Sequence, residues 1–298
     1  MAKHLISTET EFDFRFDKPV EEYLSGNLGL MAKGGPGTLA NDLRDEFKDF
    51  NWDIEDQEEL GACVGCALGS GLLWFHLMKK ARAYQTESPA MPSSRFVWEA
   101  AKFIDLSAKA PIGFLSSEGT TLKNGLRVLH KYGALFEKDY DLKGNSCNAT
   151  MQLSARDVYM RASQQRIANY INLMPELSHK GKKRDKTEEN IRKWLSTQGP
   201  VAATIWVKKD FVKANKHSRI LSDGSHEKTG SKHAICIVGT KGQDQFIIRN
   251  SEGEKWGKKG YEYATADYLF GKKNFNQDGT FQSVLPSRTL IEAYGIIM

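Results

Sequence analysis

The clearest periodic pattern of the chain lies between residues 56 and 83, where a polar turn leads into a helix with one buried face. Small and apolar residues recur at positions 64, 67, 68, 71, 72, 75 and 78. Intervals of three and four residues place side chains on the same face of an α-helix. The pattern therefore predicts a buried helix over residues 63–83, and Cys63 is its first residue.

Helical patterns dominate the first two thirds of the chain. The predicted helices after the first span residues 95–103, 122–132, 155–166 and 187–198. A serine precedes the first of these helices and can cap it, and Gly133 ends the second. Gly199-Pro200 ends the last helix, because proline cannot continue a helix.

An alternating pattern predicts one strand over residues 167–174, before the last of these helices. After Pro200 the period changes from helical to two, which predicts strands over residues 201–207, 234–240, 245–249 and 260–263. The long polar stretch 213–232 is predicted to be a loop inserted before a strand. Helices followed by strands predict an α+β fold, with a helical lobe, a sheet lobe and a cleft between them.

The same patterns divide the chain into an arm and one domain. Residues 1–41 have few periodic signals and include a glycine-rich run, so we predict an N-terminal arm that could cover the cleft. Residues 42–298 form the predicted domain. Its helical lobe spans residues 57–165 and its β lobe residues 166–298, both approximately.

Composition excludes several classes of protein. Hydrophobic residues are 40% and charged residues 27% of the chain, as in soluble globular proteins, and the net charge is only +5. We therefore expect no nucleic-acid partner. No apolar run approaches the ~20 residues of a membrane span, and no apolar h-region of a signal peptide follows Met1. Four cysteines in a chain of this length favour a reducing, cytoplasmic location without a membrane partner.

The start of the predicted helix is the first candidate for chemistry. Backbone N–H groups and the positive end of the helix dipole favour the thiolate form of a cysteine at this position, such as Cys63. Gln57 lies six residues earlier and could donate a hydrogen bond to a developing oxyanion. A small cysteine buried in a core helix is the alternative, and the local sequence leaves both interpretations open.

Two residues in the sheet half could complete a site. His233 opens one predicted strand, and Asn250 follows the end of the next strand. If these strands are antiparallel neighbours, the asparagine carbonyl can fix the imidazole tautomer and leave the other ring nitrogen for a thiol. Taken singly, each residue has an ordinary alternative, a histidine at the sheet rim and an asparagine in a turn.

Together, these residues resemble the papain-like cysteine peptidases, peptidase family C1. The chain order Gln57, Cys63, His233 and Asn250 carries the resemblance. Further matches are Asn250-Ser251 with Gly253, Trp256-Gly257, Gly260-Tyr261, Gly199-Pro200-Val201, and Glu118-Gly119-Thr120-Thr121 with Gly133. The resemblance covers residues 42–265 and implies a papain-like two-lobed fold.

The resemblance also implies a role for each residue. Cys63 would be the nucleophile, His233 the general base and then the acid, and Asn250 the residue that orients His233. Gln57 and the backbone N–H of Cys63 would form the oxyanion hole. The reaction would be hydrolysis of a peptide bond through a thioester.

Substrate binding is the remaining part of the implied site. Gly119 would pair with the substrate backbone, and its neighbour Glu118 and the segment at Gly61 would belong to the same binding region. The implied partner is a protein or peptide substrate, with no cofactor and no metal. The sequence leaves the oligomeric state open.

The resemblance leaves a second candidate nucleophile, and the chain departs from the family pattern at Glu252, among other positions. Cys66, rather than Cys63, is the competing nucleophile if the second cysteine of the C-x-x-C is aligned, but Leu60 would then stand where the glutamine belongs. Glu252 stands where the family has an aromatic residue that shields the histidine–asparagine hydrogen bond. We therefore expect this hydrogen bond to be more exposed to water.

Other function classes remain open at this point. A redox or metal protein could use Cys63 and Cys66, although a zinc site needs two more ligands at regular spacing. A papain-like acyltransferase, a deamidase or an inactive binding homologue would share the same fold.

Overall fold

The computed structural model describes residues 41–48, 52–104, 119–144, 154–174, 183–215, 217, 220–222, 228–275, 281–284 and 288–298. Almost all of the predicted N-terminal arm, residues 1–40, lies outside the described residues, and so does Glu118. In the described part, helices and an antiparallel sheet form an α+β fold, as predicted. No helix in these ranges is both long and apolar enough to span a membrane.

The central helix, α1, confirms the prediction for residues 63–83. It begins with the α-helical turn Cys63–Cys66, continues as the π-helical stretch Ala67–Leu73 and ends as the α-helix Trp74–Ala83. A Cβ atom at Gly65 would lie 2.0 Å from the carbonyl oxygen of Ser94, so only glycine permits this close approach of the next helix. The helix that carries Cys63 is therefore held closely against its neighbour.

Four further helices lie near their predicted positions: α2 (Ser94–Phe103), α3 (Leu122–Lys131), α4 (Ala155–Ala162) and α5 (Lys183–Thr197). Two short helices, α6 (Lys209–Val212) and α7 (Ala266–Phe270), were not predicted. The hydroxyl of Ser93 accepts a hydrogen bond from the N–H of Phe96 and caps α2. Gly133, with φ +87°, follows the end of α3 in the left-handed conformation that glycine adopts without strain.

A seven-stranded antiparallel sheet forms the other half. Its strands are β1 (Asn41–Asp42), β2 (Asn169–Asn172), β3 (Val201–Lys208), β4 (Lys228–Lys241), β5 (Gln245–Arg249), β6 (Tyr261–Thr265) and β9 (Leu290–Ile297). The order is β2-β9-β3-β4-β5-β6, and β1 pairs with β4. A separate pair consists of β7 (Lys273–Phe275) and β8 (Phe281–Val284).

The structure corrects the sequence prediction at strand β4. The polar residues 228–232 were expected in a loop, but they extend β4 and pair with the end of β3. Their side chains are exposed, because this end of the strand continues beyond the core. A period-two pattern predicts only half-buried strands, so it missed this polar extension.

Strand β9 was not predicted at all. It lies between β2 and β3, and most of its residues are buried, including four in succession. A strand covered on both faces lacks the alternation of polar and apolar residues that identifies half-buried strands. The first strand also shortens the predicted arm, because Asn41 and Asp42 pair with Thr240 and Gly239.

Candidate active site

Cys63 occupies the first turn of α1, where the helical half meets the sheet. Its side chain is partly buried and lies beside the side chain of His233, which lowers the pKa of the thiol. The backbones of Val64 and of Ala234 on β4 also lower the pKa of this thiol. The thiol therefore lies between the helix start and the strand that carries the histidine, as the resemblance implies.

His233 and Asn250 meet across neighbouring antiparallel strands. Strands β4 and β5 are paired, and Cys236 lies opposite Arg249 in their register. His233 Nε2 and Asn250 Oδ1 are 2.7 Å apart. Since the asparagine carbonyl accepts the Nε2 hydrogen, Nδ1 is the ring nitrogen left for Cys63.

The thiol and the imidazole shift each other's pKa in opposite directions. Burial alone would raise the pKa of Cys63, but the hydrogen bond and the charge of His233 outweigh it, so the pKa is lowered. Burial lowers the pKa of His233, whereas Cys63 and Asn250, with a smaller contribution from Glu252, raise it above its ordinary value. Both shifts favour a thiolate–imidazolium pair.

An aromatic cover protects the histidine and asparagine, which corrects the expectation of an exposed hydrogen bond. His233 is 9% and Asn250 2% exposed. The ring of Phe211, on α6, lies 5.7 Å from the imidazole, and Trp256 packs 4.9 Å from Phe211. Trp256 Nε1 also donates a 2.9 Å hydrogen bond to the carbonyl oxygen of Phe211. These rings exclude water although Glu252 replaces the expected aromatic residue.

Gln57 is held in the turn before α1 by contacts with the segment after Asn250. Its N–H donates to the Ser251 carbonyl at 2.8 Å, and the Ser251 hydroxyl donates to Gln57 Oε1 at 2.6 Å. Gln57 Nε2 donates to the carbonyl of Leu60 at 2.8 Å. The second hydrogen of Nε2 has no acceptor among the residues that the structure describes. A fixed amide with a free hydrogen is the arrangement that an oxyanion hole requires.

Gly61 and Gly119 lie side by side at the surface next to this turn. A Cβ atom at Gly119 would be 3.7 Å from the carbonyl oxygen of Gly61, and its nearest neighbour is this backbone atom. Gly119 is exposed and Gly61, two residues before Cys63, is partly exposed, so neither position has a side chain that would block an extended chain. The structure thus brings together the described residues that were predicted to bind substrate.

A buried polar network behind the site was not predicted. Glu55 accepts hydrogen bonds from the hydroxyls of Ser70 and, at 2.6 Å, of Ser94. Arg249 Nη1 lies 3.5 Å from the Ser70 hydroxyl and Arg249 Nη2 donates to the Asp53 carbonyl. The network connects the turn, α1, α2 and β5, which are the elements that position the catalytic candidates.

Sequence reasoning missed these contacts for different reasons. Glu55 and Arg249 are charged residues in short segments, and no local pattern shows that they are buried together. Phe211 lies in a polar stretch after β3 with no periodic signal. Ser251 was noted only as part of a motif, although its place beside Asn250 is a signal that could have suggested a contact with the site.

Cys66 lies one turn after Cys63 but in different surroundings. It is 0% exposed, and burial together with the charge of Glu55 raises its pKa well above the ordinary value. Its partners in the core are Ala62, Trp98 and Leu142. Cys63 and Cys66 are both free thiols, and no group of three potential metal ligands occurs within the described ranges.

Comparison with known proteins identifies the family. Residues 93–273 match the family described as papain family cysteine protease. This stretch contains His233 and Asn250 and begins after Cys63. The crystal structure of xylellain, a cysteine protease from Xylella fastidiosa, superimposes with a TM-score of 0.60 at 18% identity, over 87% of this chain and 86% of that chain.

Two curated relatives are similar in sequence. An uncharacterized peptidase C1-like protein of Acanthamoeba polyphaga mimivirus is 23% identical over 69% of this chain and 62% of its own length. Peptidase 1 of Psoroptes ovis is 28% identical over 58% of this chain and 50% of its own length. The chain thus spans between half and two thirds of these relatives. Because the family match covers more than half of the sequence, the chain belongs to the papain family of cysteine proteases.

Proposed function

We propose that the protein is a cysteine peptidase that hydrolyses peptide bonds through a thioester. The observation that carries the proposal is the arrangement of His233, with Nε2 2.7 Å from Asn250 Oδ1, which leaves the other ring nitrogen for Cys63. A general base held in one tautomer against a low-pKa thiol is the arrangement that activates a nucleophile. Membership in the papain family supports the same chemistry.

In the acylation step, the Cys63 thiolate attacks the carbonyl carbon of the scissile bond. The negative charge moves to the carbonyl oxygen, where Gln57 Nε2 and the backbone N–H of Cys63 donate hydrogen bonds. As the carbon–nitrogen bond breaks, the His233 imidazolium gives its proton to the leaving amine. The products of this step are a free amine, a thioester on Cys63 and a neutral imidazole.

In the deacylation step, neutral His233 takes a proton from water, and the resulting hydroxide attacks the thioester. The carbon–sulfur bond breaks and the Cys63 thiolate leaves. The thiolate and the imidazolium are then both restored. Asn250 holds the imidazole in the same orientation through both steps, because its carbonyl accepts from Nε2 in either protonation state.

The test combines labelling and turnover. A thiol-reactive epoxide should label Cys63 of the native protein, and Cys63→Ala should abolish both the labelling and the cleavage of unstructured peptides. Circular dichroism of Cys63→Ala should show an unchanged fold. Labelling without hydrolysis of any peptide would contradict the proposed peptidase.

Added amines separate hydrolysis from transfer, since both reactions use the same thioester. If amide products exceed hydrolysis products at low amine concentration, the protein is an acyltransferase. If peptide carboxylates dominate, the thioester is hydrolysed by water. Mass spectrometry of the products measures the ratio directly.

A further inference from the structure

The exposed end of strands β3 and β4 carries an aromatic ring covered by two ammonium groups. Lys232 Nζ lies 5.1 Å and Lys228 Nζ 5.6 Å from the centroid of the Trp206 ring. Trp206 and Lys232 are direct partners in the register of the two strands, so their side chains emerge on the same face of the sheet. Both lysines are exposed and Trp206 is half-buried.

Two further cations lie beside them. Lys208 is the register partner of Lys228, and burial together with the charges of Lys208 and Arg288 lowers the pKa of Lys228. Such a shift indicates that like charges are held close together. We define the basic patch as Trp206, Lys228, Lys232 and Arg288; Lys208 itself is buried, with its ammonium group over the ring of Tyr268.

The basic patch is not neutralised within the part of the chain that the structure describes. There, Lys228, Lys232 and Arg288 form no ion pair with a carboxylate. The carboxylate of Glu292, on the neighbouring strand β9, accepts a 2.7 Å hydrogen bond from the hydroxyl of Thr204. Repulsion among uncompensated cations is relieved when an anionic partner binds.

The basic patch begins one residue from the candidate catalytic imidazole. Lys232 directly precedes His233, and His233 pairs with Ile205, the residue before Trp206. One strand residue spans about 3.3 Å, so the backbone at Lys232 lies about that far from the backbone at His233, the candidate catalytic base. The position therefore suits a substrate segment rather than an unrelated ligand.

We propose that the basic patch binds an acidic segment of the protein substrate next to the cleft. The proposal names a substrate class and therefore rests on the peptidase function proposed above. A polypeptide fits better than single-stranded nucleic acid, because nucleic acids stack their bases on open aromatic faces. Here two ammonium groups already lie over the only ring of the patch.

The experiment compares two unstructured peptides that share one cleavage sequence. One peptide carries a block of four glutamates several residues from the scissile bond, and the other carries four glutamines at the same positions. A second pair of peptides carries the same blocks on the other side of the scissile bond. The proteins are the native chain, Lys228→Glu/Lys232→Glu and a matched control, Lys241→Glu/Lys258→Glu. The control lysines lie 4.7 and 5.5 Å from the Tyr263 ring, so they have the same chemistry elsewhere on the sheet.

We expect kcat/KM of the native protein to be about tenfold higher for one of the glutamate peptides than for its glutamine counterpart at low salt. In Lys228→Glu/Lys232→Glu the ratio of kcat/KM for the glutamate peptide to kcat/KM for the glutamine peptide should fall to one or below. In the control variant this ratio should stay at the native value. Raising the ionic strength should lower the native ratio, because exposed charges are screened.

Three results would overturn the proposal. The first is an equal ratio for the two peptides in the native protein, and the second is a ratio that both double variants lower alike. The third is binding of a single-stranded oligonucleotide that is lost in Lys228→Glu/Lys232→Glu without any preference for glutamate peptides. Fluorescence anisotropy can measure binding of the same peptides to Cys63→Ala even if no variant hydrolyses them. A patch that does not bind acidic peptides and a protein that does not cleave peptides are therefore distinguishable results.

Discussion

Two consecutive turns of one helix give two cysteines opposite properties. Cys63 is partly buried at the helix start, where the hydrogen bond and charge of His233 overcome the effect of burial and lower the thiol pKa. Cys66 is fully buried beside Glu55, where burial and a like charge raise the thiol pKa well above its ordinary value. The residue type and the helix are the same, so the difference comes from the neighbours.

The comparison shows why a C-x-x-C spacing alone does not identify a site. A thiolate needs a cation or donors at the sulfur atom, and Cys63 has His233 and the backbone of Ala234 there. The second turn packs Cys66 against Ala62, Trp98 and Leu142, and burial there together with the charge of Glu55 disfavours the thiolate form. Reactivity therefore follows from the groups that lie beside each sulfur atom.

The strongest test of this comparison replaces each cysteine in turn. Cys63→Ala should reduce kcat by at least about 10⁵-fold, since loss of a nucleophile removes the covalent route. Cys66→Ala should leave kcat within a fewfold and should lower the free energy of unfolding by about 1 kcal/mol, because it leaves a small cavity. Peptide cleavage and urea denaturation measure the two effects.

The reverse outcome would exchange the roles of the two thiols. If Cys66→Ala abolished turnover while the protein stayed folded, and Cys63→Ala remained active, the assignment of the nucleophile would be wrong. Cys236, a third free and fully buried thiol, offers a control substitution away from the helix start.

Removing the oxyanion donor should have the next largest effect. Gln57→Ala should lower kcat by about 10²- to 10³-fold with a smaller change in KM, because the amide hydrogen bond strengthens only as charge develops. Gln57→Glu keeps the size of the side chain and should be equally inactive. A variant that raised KM alone would show that Gln57 binds the substrate rather than the developing oxyanion.

How far the sequence predicts this site follows from the range of each interaction. The helix at Cys63 and strand β3 were predictable, because their periodicity is a local property of the chain. The meeting of His233 with Asn250 followed from two adjacent strands. The cover by Phe211 and the burial of Glu55 beside Ser94 were not predictable, since these contacts join segments far apart in sequence and depend on tertiary packing.

Alkylation rates sharpen the comparison without relying on turnover. Iodoacetamide should modify Cys63 of the native protein already at mildly acidic pH, because the lowered pKa leaves a thiolate there, and Cys66 should remain unmodified until the protein unfolds. In His233→Ala the onset of Cys63 alkylation should move to higher pH, since burial then acts without its opposing charge. Peptide mapping by mass spectrometry assigns the modified residue. Equal rates for both cysteines in folded protein would remove the distinction between the two turns.

The pH profile of activity tests His233, the imidazolium member of the proposed thiolate–imidazolium pair. Activity should rise as Cys63 loses its proton and fall at higher pH as the His233 imidazolium loses its proton, which gives a bell-shaped profile. The lowered thiol pKa and the raised imidazole pKa both widen the plateau between the two limbs. A profile without an alkaline fall would argue against a thiolate–imidazolium pair.

The smallest effect should come from Glu252, which is exposed where an aromatic residue was expected. Burial lowers the pKa of His233, Cys63 and Asn250 raise it, and the charge of Glu252 contributes further in the same direction. Glu252→Gln removes that charge and keeps the shape, so the imidazolium should lose its proton more readily and the alkaline limb should move to lower pH. The loss of activity at the optimum should stay below about twofold, since an exposed charge is well screened.

Two controls decide whether this effect is electrostatic. Glu254→Gln removes an equally exposed carboxylate two residues away and should leave the alkaline limb where it is in the native protein. High salt should bring the profile of native protein toward that of Glu252→Gln, because screening weakens the carboxylate's attraction for the imidazolium. If Glu252→Gln instead lowered activity equally at every pH, Glu252 would act on the position of Asn250 through the backbone bridge between residues 252 and 56, not on the charge of His233.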